Sequence, residues 1–419
     1  MSKDKKTMNA RHHLKERRMT HLKKFMVALL LLGAYFVFFR ASVSHNSQPS
    51  STPVADLAPV PHATATLFAS GELPDACTYR NFTNDATAHK EHLHSLLSYI
   101  LSFGPRVGGS SSKGYFGVLK ALIAMMQCSS SRANDEQLPE WELSFDNFTE
   151  ATPVGMMQFT NLISTIENPF FQNGDAEPID RSKRRHFPKS KGKKRLSHLV
   201  LAAHWDSKLM KGSKPFLGAC DSVVPMLIVL EMMKMVSHTL RMAASGDMYH
   251  HSVARNLLPQ TVTVMLFDGE EAFVHWQGKD HTYGSRHLAS HWQQTNKISS
   301  IDLFALLDLM GPAGLTYHNY FPNESGAFFD SLSVTEKRLR SRGRLLTTHT
   351  SFPSASQRQP PIEDDHIHWA PYVPVLHMIS NPFPRVWHTS ADDESAIDLA
   401  TTIDLLHIIA HGLVGFPLR

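Results

Sequence analysis

A chain of 419 residues, 42% hydrophobic and 19% charged, has the composition of a globular protein and the length for one large or two ordinary domains. Its net charge of +4 conceals an uneven distribution: ten Lys or Arg fall in the first forty residues and nine between 181 and 195, leaving 23 bases against 36 acids elsewhere. An acidic body excludes a nucleic-acid partner.

Residues 1–24 form a basic tail, and residues 25–39 (FMVALLLLGAYFVFF) are uncharged between Lys23-Lys24 and Arg40. Residues 41–43 extend the apolar stretch, so the expectation is one signal-anchor helix over 25–43 crossing a thin bilayer of the early secretory pathway. The positive-inside rule puts the tail in the cytosol and the rest of the chain in the lumen. A cleaved signal peptide is the competing reading, disfavoured by so long a basic segment before the apolar run. Sequons at Asn81, Asn147 and Asn323 agree with lumenal exposure. Three cysteines allow at most one disulfide, and Cys77 with Cys128 is the expected pair because Cys220 adjoins Asp221, a candidate ligand.

Residues 44–74 are rich in Ser, Pro, Thr and Ala and read as a flexible stalk before a catalytic domain over 75–419. Helical spacing at 89–100 and 114–126 brackets a glycine-rich turn, which lacks the Gly-Lys-Ser/Thr ending of a phosphate loop and follows a helix. Strands are expected at 141–148, 159–166 and 199–203, with 167–197 as an insertion in a hairpin carrying the basic run 181–195 as a solvated loop. Contact with a polyanion or anionic lipid, or proteolysis at 181–184, ranks below that reading. Helical spacing returns at 222–236, 284–294, 328–342 and 396–414. Alternation of strands and helices from 199 onward predicts a single α/β domain with a central, mostly parallel sheet flanked by helices.

Four apolar runs end on chemistry-bearing residues. Residues 261–267 lead to Asp268-Gly-Glu270-Glu271, 198–203 to His204-Trp-Asp206, and 303–307 to Asp308; residues 373–377 end on His377 and lead to Trp387-His388. In an open parallel sheet such residues converge beyond the carboxyl ends of the strands. Adjacent carboxylates repel unless a cation or a shared proton separates their roles, so Glu270-Glu271 asks for a metal and a base. Asp221, in Gly-Ala-Cys-Asp-Ser, taken singly is a helix cap, with Pro225 tolerated in the first turn. With Glu271 and His388 it completes a carboxylate, carboxylate, imidazole set suited to a catalytic zinc that keeps one position open. Trp276, Phe383 and Trp387 taken singly read as core, His377 as a buried structural histidine, and Asp206 as a support for His204 or a nearby backbone group.

His204-Trp-Asp206, GACDS at 218–222, DGEEAF at 268–273, Trp276, YGSRHLA at 283–289, LLDLMG at 306–311, EDDHI at 363–367, PVLHMI at 374–379 and NPFPRVWHT at 381–389 resemble the animal-type glutaminyl-peptide cyclotransferases, or glutaminyl cyclases. Those enzymes are similar in fold to the zinc aminopeptidases. The similarity runs from about residue 93 to the carboxyl terminus, and the basic anchor resembles the Golgi-resident, membrane-anchored branch. The resemblance implies one zinc per chain on Asp221, Glu271 and His388, with Glu270 as general acid/base and Asp308 hydrogen-bonded to Asp364 beside it. It implies Trp276, Phe383 and Trp387 lining the substrate pocket, with His377 behind. It further implies a single-pass type II Golgi protein, secreted if the anchor is cleaved. Its monomeric lumenal domain would convert amino-terminal Gln, and more slowly Glu, of peptides and proteins to pyroglutamate with release of ammonia or water.

Two departures stand out: Glu363 replaces the usual Gln, and Ala203 and Met226 replace a cysteine pair found in many relatives. The competing reading is a di-zinc aminopeptidase, since His204, Asp221, Glu271, Asp308 and His388 are the residue types that hold two metals. The surround of Trp276, Asp364, His377 and residues 383–387 favours the cyclase. A third reading, a membrane-anchored binding protein without catalysis, is opposed by retention of both Glu270 and Glu271.

Overall fold

The four chemistry-bearing runs become the parallel strands β3 (His198–His204), β4 (Thr261–Phe267), β5 (Leu303–Leu307) and β6 (Val375–Met378) of a six-stranded sheet. Their near-complete burial explains why they read as unbroken apolar runs, as strands covered on both faces do. The computed structural model describes residues 86–128, 139–172, 196–212, 214–354 and 359–415. The tail, anchor and stalk, the basic run, Cys77 and Asn81 lie outside them, and among the described residues no helix is long and apolar enough to cross a membrane. The other two sequon asparagines, Asn147 and Asn323, are exposed.

β1 (Glu142–Thr152) and β2 (Gly155–Glu167) form a hairpin that extends the sheet antiparallel to β4, giving the order β1-β2-β4-β3-β5-β6. This corrects the hairpin expected around 167–197: β2 pairs with β4, and the chain from β2 to β3 joins strands that are not neighbours. A pairing partner is fixed by sheet order, which nearness in sequence does not reveal. β1 is the edge strand and alternates between exposed and half-buried positions.

Helices α1 (Ala86–Ser102), α2 (Lys113–Cys128), α3 (Val224–Ala244), α4 (Met248–Asn256), α5 (Tyr283–Gln294), α6 (Gly326–Ser341) and α7 (Leu399–Ile409) flank the sheet. The expected helices all form; α4 is additional, capped by Asp247, whose side chain accepts from the His250 amide at 2.9 Å. Ala203 and Met226, at the two expected cysteine positions, are wholly buried in the apolar core.

In α3, 17 of 21 residues are buried, so its polar side chains must find partners inside. Glu231 accepts from Lys234 Nζ at 2.5 Å and lies 3.1 Å from His92 Nε2 on α1. Burial pushes the Glu231 carboxyl up, but Lys234 and His92 outweigh it and bring it down to about 2. Lys234→Met leaves the carboxylate with His92 as its remaining partner, and the expected loss is about 3 kcal/mol, the lower end for a broken buried pair, in urea unfolding at neutral pH. Because the folded-state pKa is depressed, the stabilisation is complete above the ordinary glutamate range and drains away as pH falls towards 2. The variant's deficit should therefore shrink in acid; an equal deficit across pH would show that lost packing, not charge, is responsible.

Candidate metal and acid–base centre

The carboxyl ends of β3, β4 and β5 deliver His204, Glu270-Glu271 and Asp308 to one place. The His204 ring and the backbone of Glu270-Glu271 are held by a side chain whose supporting role the sequence suggested. Asp206 lies 3.3 Å from His204 Nδ1 through Oδ1, which also accepts the Glu270 amide at 3.1 Å, while Oδ2 accepts the Glu271 amide at 3.3 Å. Gly269, immediately before the glutamates, has φ of 69°, and a Cβ there would lie 2.5 Å from the Phe159 ring. Only glycine makes this turn against that ring.

Asp221 arrives from a different direction. It lies in the turn Ala219–Val223 with non-helical angles, so α3 begins beyond it, and the helix-cap reading is corrected. Pro225 does sit in the first turn. Gly218 has φ of 59°, and a Cβ on it would lie 2.2 Å from the Asp221 carbonyl oxygen. Arg106, buried in the glycine-rich turn after α1, ties the segment to the end of β3 by donating to the carbonyls of Trp205 at 2.6 Å and Gly218 at 3.0 Å, and to that of Leu217. Burial brings its guanidinium down to about 10 against the pull of Asp206 and Asp221. Asp392 Oδ1 accepts the Cys220 amide at 2.8 Å. Sequence reasoning missed Arg106 and Asp392 as supports, and nothing local to either signals the role.

Asp221, Glu271 and His388 converge with one potential ligand atom each, all within 4.8 Å of one another. His388 Nε2 lies 3.2 Å from Glu271 Oε1 and 3.4 Å from Asp221 Oδ2. Burial would lower the His388 imidazole, yet the two carboxylates raise it to about 9. His204 and His388 in turn overcome burial at Asp221 and hold it below the usual carboxylate range. Asp221 Oδ2 is buried without a hydrogen-bond partner. An orphaned carboxylate oxygen facing an imidazole and a second carboxylate fits a zinc ion by donor type and count. Lys208 Nζ donates to the other oxygen of Glu271 at 3.1 Å, leaving Oε1 to this group.

Glu270 stands outside that triad, its Oε2 4.0 Å from His204 Nε2. Burial raises it well above the usual glutamate range; His204 opposes the shift and Glu271 and Asp364 add to it. His204 Nε2 lies 3.1 Å from Asp221 Oδ1 and 3.5 Å from Asp308 Oδ1, and those three residues form a second potential metal group sharing Asp221. Burial alone would lower His204, but Glu270, Asp206, Asp221 and Asp308 together hold it well above its ordinary value.

Asp308 and Asp364 are both buried, and burial raises both; His204 opposes the shift at Asp308 and His366 and His204 oppose it at Asp364, while the charge of Asp221 adds to it at each. The direct hydrogen bond expected between them is absent among the described residues. Asp308 Oδ1 accepts instead from the Ser222 hydroxyl and the Leu309 amide, while Asp364 Oδ2 lies 2.7 Å from His377 Nε2 and Oδ1 accepts the Asp365 amide at 2.6 Å. Nearby groups with free donors capture both carboxylates, so the two acids interact through charge. His377 is buried on β6, which agrees with the structural role read from its sequence, and burial brings it to about 3, leaving it neutral.

Of the three aromatics, Trp276 and Trp387 are not core, whereas Phe383 packs against the buried cluster of Leu309, Tyr320 and Ile379. Trp276 is half-buried, stacks on His281 with ring centroids 4.3 Å apart and donates Nε1–H to Glu363 at 3.3 Å. Trp387 is 38% exposed and stacks on His388 at 3.9 Å, with half-buried Phe383 set edge-on to it at 4.8 Å. Indole and phenyl surface left in solvent beside a buried polar centre is available to a ligand.

Residues 187–413 match the model of Peptidase family M28, more than half of the chain, and the chain belongs to that family. A leucine aminopeptidase precursor from Bacteroides thetaiotaomicron shares the fold, at TM-score 0.53 and 17% identity over 81% of this chain and 99% of its own. A glutaminyl-peptide cyclotransferase of Drosophila melanogaster is 34% identical over 333 residues, 76% of this chain and 79% of the relative. The structure of Macrostomum lignano glutaminyl cyclase superimposes at TM-score 0.58 and 26% identity, covering 81% of this chain and 96% of that one. Within the peptidase family the chain is thus a member of the glutaminyl-peptide cyclotransferase enzymes. Its match to a bovine cyclotransferase-like protein spans 64% of that relative's length.

Proposed function

We propose that this chain is a zinc-dependent glutaminyl-peptide cyclotransferase converting amino-terminal glutamine, and more slowly glutamate, of peptides and proteins to pyroglutamate. The observation that carries the reading is the division between adjacent glutamates: Glu271 joins Asp221 and His388, while Glu270 stays outside that triad with a raised pKa. A zinc ion held by Asp221, Glu271 and His388, one per chain, supplies when bound a positive charge for the oxygen of the scissile carboxamide.

The chain's own side chains do the rest. The neutral α-amine attacks the γ-carboxamide carbon; a C–N bond to the ring forms, the bond to the amide nitrogen breaks, and ammonia leaves. Glu270 takes the proton from the attacking amine and returns it to the departing nitrogen, a double duty suited to a carboxyl whose pKa lies nearer the working pH. Asp308 and Asp364 keep negative potential beside it, favouring an approaching amine. Trp276, Phe383 and Trp387 exclude water and hold the folded-back side chain near its attack geometry. His377 fixes Asp364 from behind.

On sequence grounds the catalytic domain works as a glycosylated monomer in the Golgi lumen, behind one amino-terminal signal anchor. The second triad of His204, Asp221 and Asp308 supports one alternative, a di-zinc aminopeptidase. One experiment separates the two: incubate the purified full-length chain and zinc with a peptide beginning with glutamine and another beginning with leucine, and follow both by mass spectrometry. Loss of the mass of ammonia from the first, with the second intact, is expected. Release of an amino-terminal residue from either would establish the peptidase instead.

A further inference from the structure

In the run Glu363-Asp364-Asp365 the two aspartates are buried, at 2% and 0% exposure, and Glu363 alone faces solvent. Its carboxylate is nonetheless held in place, because Oε2 accepts the indole Nε1–H of Trp276, itself stacked on His281. Among the described residues Glu363 has no ion-pair partner, whereas Glu271 has Lys208 and Asp221 has two histidines. The chain passes directly from Glu363 to Asp364, whose charge reaches Glu270. A fixed, unneutralised carboxylate thus stands one residue outside the buried acid–base centre, against an aromatic of the proposed pocket.

We infer that Glu363 determines specificity, its carboxylate favouring peptides that carry lysine or arginine immediately after the amino-terminal glutamine. The inference rests on the cyclase reading above. On that reading, with the first residue bound at Glu270 within reach of the Asp364 charge, the residue after it is the one that would meet Trp276 and the neighbouring Glu363. A basic side chain there meets an oriented carboxylate, and an acidic one meets like charge. Because the pairing is solvent-exposed, its effect is modest and falls with salt.

The test compares kcat/KM of the full-length enzyme on matched Gln-Lys and Gln-Glu peptides, at low and high ionic strength, with wild type and Glu363→Gln. The wild type is expected to prefer Gln-Lys by roughly two- to fivefold, mainly through KM, with the preference shrinking in salt. Glu363→Gln keeps an acceptor for the Trp276 indole and should bring the ratio close to one. An unchanged ratio in the variant would overturn the inference. So would an equal loss on both peptides, which would make Glu363 a strut for Trp276 and nothing more. If neither glutamine peptide loses the mass of ammonia, the cyclase reading itself falls, an outcome distinct from cyclisation without preference.

Discussion

Glu270→Gln is expected to retain zinc and to lower turnover of an amino-terminal glutamine peptide by about 10²- to 10⁴-fold, the range for loss of a general acid–base group. The two shapes are nearly identical, and the Glu270 backbone is fixed by its amide bond to Asp206, so the variant removes proton transfer and little else. Zinc retention follows because Glu270 is not among Asp221, Glu271 and His388. Metal analysis and kcat/KM on the same preparation check both halves. Near-normal activity would move the base elsewhere, with Asp308 the next carboxylate to examine.

His388→Ala should lower zinc occupancy and activity in parallel, by more than the roughly 10- to 100-fold cost of losing a residue that merely supports a ligand. His388 supplies the only nitrogen of its triad, and without it Asp221 and Glu271 offer two oxygens and no imidazole. Added zinc should recover part of the activity, which separates weakened binding from a misfolded chain. A variant retaining its full metal complement would exclude His388 from the ligand set. The stacked Trp387 should also shift, so KM for peptide is expected to rise alongside.

The site could be read largely from sequence because parallel strands buried on both faces are continuous apolar runs, and chemistry-bearing residues follow where each run stops. His204, Glu270-Glu271 and Asp308 announce themselves that way. The supports do not. Arg106 reaches the Asp221 turn across about a hundred residues of sequence through backbone carbonyls, which carry no side-chain signature. The partners of Asp308 and Asp364 are not legible either: the family resemblance implies that the two acids pair, and nothing in the sequence marks Ser222 and His377 as the groups that bond them. Helix α4 went unread because only Val253 and Ala254 of it are buried, too few to make an apolar stripe; Asp247 was the one cue. The half-exposed Trp276 and exposed Trp387 show the reverse case, in which a core-like residue type occupies the surface.

Asp206 grips the amides of Glu270 and Glu271 with its two oxygens, one to each. Under the proposed roles, two neighbouring residues with unlike duties therefore share a single mechanical coordinate. A displacement of that carboxylate carries the proton carrier and the metal ligand the same way by the same amount. Affinity for the ion and efficiency of proton transfer are consequently not separate dials. Mutation in the layer around Asp206 moves both along one diagonal, and a lineage adjusting either property must adjust its companion or find a second route through Lys208, which touches Glu271 alone of the two side chains.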